Sequence, residues 1–85
     1  MKSRVAIMGI VVEDSEHVAE LNAILHEYAR HIIGRMGIPY RERGVNIISV
    51  ALDAPENEIS ALAGKVGNID GVSVKTAYSS IISQD

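Results

Sequence analysis

The sequence contains no cysteine, phenylalanine or tryptophan, and its only aromatic residues are three tyrosines. The absence of cysteine excludes disulfide bonds, thiolate metal ligands and a cysteine nucleophile. A core without large aromatic rings has to be built from Ile, Val, Leu, Ala and Met. Because 47% of the 85 residues are hydrophobic, the chain can bury such a core. We therefore expect a single domain over residues 1–85.

Positive charge and long apolar runs are also scarce. Eight Lys and Arg stand against eleven Asp and Glu, which gives a formal net charge of −3. Nucleic-acid-binding proteins usually carry a clustered basic face, so we expect no direct nucleic-acid binding. The longest apolar run, Val5 to Val12, is far shorter than the roughly 18–20 residues of a bilayer span. We expect no membrane association and a cytoplasmic location.

The first half of the chain predicts a strand followed by a helix. Arg4 to Val12 is apolar at both odd and even positions, which is typical of a central strand that is covered on both faces. Asp14 or Ser15 can cap the next helix, which we predict over residues 15–30. Its apolar residues recur at helical spacing and form one stripe: Val18, Leu21, Leu25, Tyr28, Ala29 and Ile32.

Two strands and a turn follow. Residues 32–40 contain two glycines and Pro39, which favours an edge strand. Gly44 can supply a positive φ in the polar turn after it. Val45 to Leu52 is a second strongly apolar strand, which we predict to be central.

The last segment predicts a second helix and a fourth strand. Asp53, Pro55 and Glu56 form a helix-start pattern, in which Asp53 would cap a helix over residues 55–66. Val72 to Tyr78 alternates as a strand, and the tail from Ser79 is weakly specified.

The predicted order βαββαβ corresponds to an α+β, ferredoxin-like sandwich. Right-handed crossovers place both helices on one face of a four-stranded antiparallel sheet. Strands 1 and 3 would lie in the centre, and strands 2 and 4 at the edges.

The sheet face without helices is the first functional candidate. Strands 1 and 3 are apolar on both faces, although helices can cover only one. An uncovered apolar face favours packing against another subunit, as a dimer or tetramer. The predicted interface comprises Val5, Ile7, Gly9, Val11, Ile47 and Ser49.

Catalytic and metal chemistry have little support in the sequence. His17 and His26 are nine residues apart on the predicted helix, so they lie on different faces, and His26 and His31 straddle its end. We therefore predict no metal site within one chain. Serines lack a base at usable spacing, and Glu13 with Asp14 are adjacent rather than opposed across a cleft. We expect no catalytic residues and no enzymatic activity, and the sequence names no cofactor.

The segment from Val12 to Leu21 resembles the strand-to-helix turn of ACT-like regulatory domains. Those domains often bind small effectors at this turn, and the free N–H groups of a helix start suit anions. The resemblance implies effector binding at Glu13, Asp14, Ser15 and His17, at an edge between subunits.

A second resemblance covers most of the chain. The segments Arg35 to Glu42, Asn46 to Ile48, Ala61 to Val72 and Val74 to Thr76 are similar to the iron-only hydrogenase system regulator family. Its members are stand-alone ferredoxin-like domains, similar to the regulatory domain of the nickel-responsive repressor. The resemblance implies this fold and a regulatory setting, without catalytic residues. The repressor's metal ligands include a cysteine, which this chain lacks, so that site is not carried over.

Two functions remain open. The chain is either a regulatory, ligand-sensing domain, as in transcriptional regulators, or a non-sensing scaffold or accessory subunit of hydrogenase maturation.

Overall fold

The structure is a computed structural model that describes the backbone of residues 2–84 and the side chains of residues 2–80. It contains four strands and two α-helices, and a short 3-10 turn lies at each end of the first helix. The strands are β1 (Lys2–Val12), β2 (Ile32–Tyr40), β3 (Val45–Ala54) and β4 (Val72–Gln84), and the helices are α1 (Val18–Glu27) and α2 (Glu56–Gly67).

The four strands form one antiparallel sheet in the order β2-β3-β1-β4. The two most apolar strands, β1 and β3, are therefore central, as predicted. The glycine- and proline-containing β2 and the more polar β4 are at the edges. The element order and the sheet order confirm the ferredoxin-like prediction.

The core lies between the sheet and the two helices. Residues of β1 alternate strictly: Ala6, Met8, Ile10 and Val12 are buried, whereas their neighbours Val5 and Ile7 are exposed. The same alternation along the strand buries Ile48, Val50 and Leu52 of β3. These three residues share one core with residues of both helices: Leu21 and Leu25 of α1, and Ile59, Leu62 and Val66 of α2. Among the described side chains, no polar or charged one is buried.

The first helical segment is shorter than predicted. Instead of one helix over 15–30, a 3-10 turn over Ser15–His17 leads into α1, and a second 3-10 turn over Ala29–His31 follows it. Tighter 3-10 turns are common at helix ends, where the last backbone groups lack i→i−4 partners. The predicted apolar stripe is confirmed at Leu21, Leu25 and Tyr28, which are buried, whereas Val18 and Ile32 are half-buried and Ala29 is exposed.

The predicted cap of the second helix is wrong. Asp53 lies within β3 opposite Val5, and Pro55 occupies the N-cap position without a side-chain capping bond. Glu56 instead forms an ion pair with Arg4, with Nη1 and Oε2 3.1 Å apart.

Of the helices in residues 2–84, none combines the length and apolar character that a bilayer crossing requires.

Strand β4 extends well past the predicted Tyr78. It pairs with β1 as far as Lys2 opposite Gln84, with a register irregularity between Arg4 and Ala6. The Arg4 guanidinium donates to the Ser79 carbonyl from Nε at 3.1 Å and from Nη2 at 2.8 Å. Arg4 therefore holds the extended end of β4 against β1.

Candidate functional site

The turn from β1 into the first helical segment is organised by Asp14. Its Oδ1 accepts a hydrogen bond from the Glu16 N–H at 2.9 Å, and its carbonyl accepts one from the His17 N–H at 3.2 Å. Asp14 is thus the N-cap, one of the two residues proposed from the sequence. A capping carboxylate satisfies N–H groups that would otherwise lack partners.

Three possible metal ligands meet at this turn. One ligand atom each of Asp14, Glu16 and His17 lie within 4.8 Å of one another. His17 Nε2 is 3.9 Å from Asp14 Oδ2, and His17 Nδ1 is 3.5 Å from Glu20 Oε1. This grouping was not predicted, because the spacing of histidine pairs does not reveal a site made of one histidine and two acids. Since the Asp14 side chain is 45% exposed and already caps the helix, a structural role accounts for the cluster.

Gly71 contacts this turn through its backbone. Its carbonyl accepts a hydrogen bond from the Glu13 N–H at 2.7 Å, and its φ is +75°. A Cβ at this position would lie 3.3 Å from the Asp14 Cβ. Both the backbone conformation and the close contact therefore favour glycine.

We expect Gly71→Ala to destabilise the fold more than Gly44→Ala. Gly44 also has a positive φ, +65°, but a Cβ there would meet nothing within 4 Å. Both variants should lose about 1–2 kcal/mol through the left-handed backbone. Gly71→Ala should lose roughly 1–3 kcal/mol more through crowding against Asp14. Urea unfolding of both variants measures the difference, and equal losses would show that the Gly71–Asp14 contact relaxes freely.

The four predicted effector residues do not all come together. Glu13 borders a different depression of about 510 Å³, which it shares with Val11, Tyr40, Arg43 and Val45 at the end of the open sheet face. Ser15 is exposed at the start of the 3-10 turn. The structure thus groups Asp14 with His17 and separates both from Glu13. Effector binding by these residues stays a prediction.

The six predicted interface residues share one face of the sheet. Direct cross-strand pairs connect Ile7 with Ala51, Gly9 with Ser49, and Val11 with Ile47. Val5 continues the Ile7 row toward the start of β1. Residues that oppose each other in antiparallel strands project to the same side, and the helices cover the other side. We call this helix-free side the open face.

The open face exposes large apolar side chains. Ile7 is 54% exposed, Val5 45% and Ile47 42%. Met36 and Ile38 of β2 extend the patch, because they lie opposite Ser49 and Ile47. This contribution of β2 was not predicted, although the period of two along a strand could have indicated it.

A charged cluster joins the helix ends on the opposite side of the molecule. Lys65 Nζ is 3.3 Å from Glu27 Oε1 and 5.1 Å from the centre of the Tyr28 ring, and Arg30 Nη2 is 3.8 Å from Glu58 Oε1. Hydrogen bonding to Tyr28, followed by the hydrogen bond and charge of Glu27, raises the pKa of Lys65 above its usual value. These pairs neutralise one another and connect the helices.

Comparisons with known proteins agree with this architecture. Residues 4–76 match the model of the TM1266-like family, described as "Iron-only hydrogenase system regulator, putative". The structure of an uncharacterized protein, TM1266 from Thermotoga maritima, is 38% identical, with a TM-score of 0.86 over 89% of this chain and 96% of that one.

A formyltetrahydrofolate deformylase from Pseudomonas putida KT2440 shares only the fold. It is 14% identical with a TM-score of 0.62, and the match covers 86% of this chain but 28% of the deformylase. No curated protein matches the sequence. The family resemblance found in the sequence is confirmed, and the chain belongs to the TM1266-like family of iron-only hydrogenase system regulators.

Proposed function

We propose that the chain is a non-catalytic regulatory domain that assembles with further copies through its open face and senses a small effector or partner. Membership of the hydrogenase system regulator family supports the regulatory setting. The observation that carries the proposal is the open face itself, where Ile7, Ile47 and Ile38 are each more than two-fifths exposed. Contiguous apolar patches of this kind mark interaction sites on soluble proteins.

The shape of the open face is compatible with packing against the open face of a second copy. Ile38, Ile47 and Val11 lie side by side across three strands and form a ridge of branched side chains. The next positions along β1 and β3 are Gly9 and Ser49, whose small size is expected to leave a shallow hollow beside Met36 of β2. A two-fold axis can place the ridge of each copy in the hollow of the other, as an isologous interface requires.

The character of the buried residues within residues 2–80 supports a non-catalytic role. Catalytic acids, bases and nucleophiles usually sit in partly buried sites that shift their pKa values. Within residues 2–80, every buried residue is hydrophobic, and Tyr28 alone among them carries a polar hydroxyl. The raised pKa of Lys65 arises in the surface cluster that joins the helices.

The alternative function is a non-sensing scaffold or accessory subunit of hydrogenase maturation. It shares the open face but requires no effector. The two functions therefore differ in whether a small molecule stabilises the folded chain, since a ligand that binds only the native state raises its free energy of unfolding.

We expect at least one member of a set of divalent metal ions, nucleotides and amino acids to raise the Tm. At a ligand concentration of 100 times Kd the gain is about 2.7 kcal/mol. His17→Ala should abolish the gain if the effector binds at the predicted turn, whereas His26→Ala, an exposed histidine of α1, should retain it. Differential scanning calorimetry measures both. A chain that is not stabilised by any of these ligands supports the scaffold function instead.

A further inference from the structure

Strand β2 is the least covered element of the fold. It is one of the two edge strands of the sheet, so within residues 2–84 one of its edges has no neighbouring strand. Ile32 is half-buried, and residues 33–40 are all exposed. Long, exposed edge strands are templates for pairing, and proteins normally blunt them with charges, prolines or bulges. Here the register irregularity before Gly34 and the proline at position 39 lie toward the ends, so the charge of Arg35 is the remaining protection in the middle of the edge.

A groove runs beside this edge on the helix-facing side. Two adjoining depressions of about 250 and 230 Å³ lie between α1 and β2, and Asn22 and Arg35 border both. A hydrogen bond of 2.9 Å from Arg35 Nη2 to Asn22 Oδ1 crosses between them. The two depressions therefore follow one another along the strand, and the Arg35–Asn22 pair lies between them.

The backbone at the middle of β2 offers free donors to this edge. Proline has no N–H and is tolerated in a sheet where that position faces away from the ladder. Alternate residues of an antiparallel strand direct their N–H and C=O groups to the same side. Because Pro39 pairs opposite Asn46, Gly37 and Arg35 direct their N–H groups toward the free edge.

The charge around this edge is opposite to that of the whole chain. Residues 32–43, which comprise β2 and the turn after it, contain three of the five arginines and one acid, Glu42, in a chain of net charge −3. Arg35 pairs with a neutral amide rather than a carboxylate, and Arg41 and Arg43 are exposed in the turn after β2. A complementary partner is therefore acidic.

We infer that the free edge of β2 binds an extended acidic segment of a partner protein, which adds to the sheet as a fifth strand. Side chains of an added strand alternate between the two sheet faces. On the helix-facing side they meet Arg35, which favours acids. On the open face they meet Met36 and Ile38, which favour apolar residues. The segment recognised is one in which acidic and branched apolar residues alternate. This interaction uses the free edge of β2, and it shares Met36 and Ile38 with the proposed assembly through the open face.

The test uses the full chain and a fluorescein-labelled peptide, acetyl-Glu-Val-Glu-Ile-Glu-Val-Glu-amide, followed by fluorescence anisotropy at low salt. The matched control peptide carries Lys in place of each Glu. We expect the acidic peptide to bind at least about tenfold more tightly than the Lys peptide. Its binding should shift the backbone amide resonances of residues 34–38 in NMR spectra.

Two variants separate charge from backbone pairing. Arg35→Glu should weaken binding of the acidic peptide about tenfold or more through charge reversal. Gly37→Pro removes one free N–H and should weaken it similarly; a Cβ there meets only Ile48 Cγ1 at 4.0 Å, so the fold should survive. Lys2→Glu reverses a charge on β1, far from the groove in strand order, and should leave binding unchanged.

Several results overturn the inference. Equal binding of the Lys peptide would show that charge does not select the partner. Native-like binding by both folded Arg35→Glu and Gly37→Pro variants would place the peptide elsewhere. Full competition by a thymidine oligonucleotide, with no effect of Gly37→Pro, would reduce the site to a general polyanion patch.

Discussion

We expect Ile10→Ala to lower the free energy of unfolding by about 2–5 kcal/mol, a large part of the stability of a small domain. Ile10 is 1% exposed and projects from the middle of β1 into the core between the sheet and the helices. Removing three carbons there loses burial and leaves a cavity that a close-packed interior closes only in part. The Tm should fall by roughly 4–8 °C for each kcal/mol.

Ile7→Ala is the matched control on the same strand. The residue type and the substitution are identical, but Ile7 is 54% exposed on the open face. In the monomer, Ile7→Ala should therefore lower the free energy of unfolding much less than Ile10→Ala does. If copies assemble through this face, the cost of Ile7→Ala should grow with protein concentration, because association stabilises the native state by mass action. Urea unfolding at several concentrations measures both. Equal losses for the two variants at every concentration would contradict the one-sided core.

The sequence predicted the parts of the fold that depend on local periodicity. The alternation of Met8 and Ile10 with Ile7 and Gly9, and the spacing of Leu21 and Leu25, are local patterns that translate directly into buried faces. The edge position of β2 followed from Pro39. The central positions of β1 and β3 followed from their apolar residues at both odd and even positions. These features required no knowledge of distant contacts.

The errors arose where distant contacts override local preference. Asp53 has good capping chemistry, yet β3 continues through it because β1 provides pairing partners as far as Arg4. The polar residues after Tyr78 do not indicate a strand by themselves. Arg4, 75 positions away from Ser79, binds its carbonyl there. A single sequence contains no local signal for such contacts.

The candidate site also combines features that are local in the sequence with features that depend on distant contacts. Asp14 and His17 meet because one turn of chain connects them, which the sequence makes visible. Glu13 follows Val12 directly, so strand alternation could have placed it on the open face with Val11. Its neighbours Tyr40 and Arg43 arrive from the β2–β3 hairpin, and only the sheet order brings them there.

The second large effect is expected at the open face itself. Ile7→Lys should convert an assembled protein into a monomer. In an isologous dimer each substitution appears twice. Because Ile7 is 54% exposed before association, the loss of two isoleucines is about 1.5–3 kcal/mol from transfer free energy alone. The two introduced ammonium groups add the cost of burying unpaired charges. The lower transfer figure by itself corresponds to about tenfold weaker association.

Sedimentation of the native chain beside this variant measures the effect, and Ala61→Lys provides the charge control. Ala61 is exposed on α2, on the side of the sheet opposite the open face, so a lysine there should leave the assembly intact. The native chain should sediment above its monomer mass of 9.2 kDa at tens of micromolar, as should Ala61→Lys, whereas Ile7→Lys should not. A native chain that sediments as a monomer removes self-assembly from the proposed function. If Ile7→Lys remains assembled, copies associate through another surface. The exposed edge of β2 is then the first alternative, because its unpaired backbone groups can join two sheets across a two-fold axis.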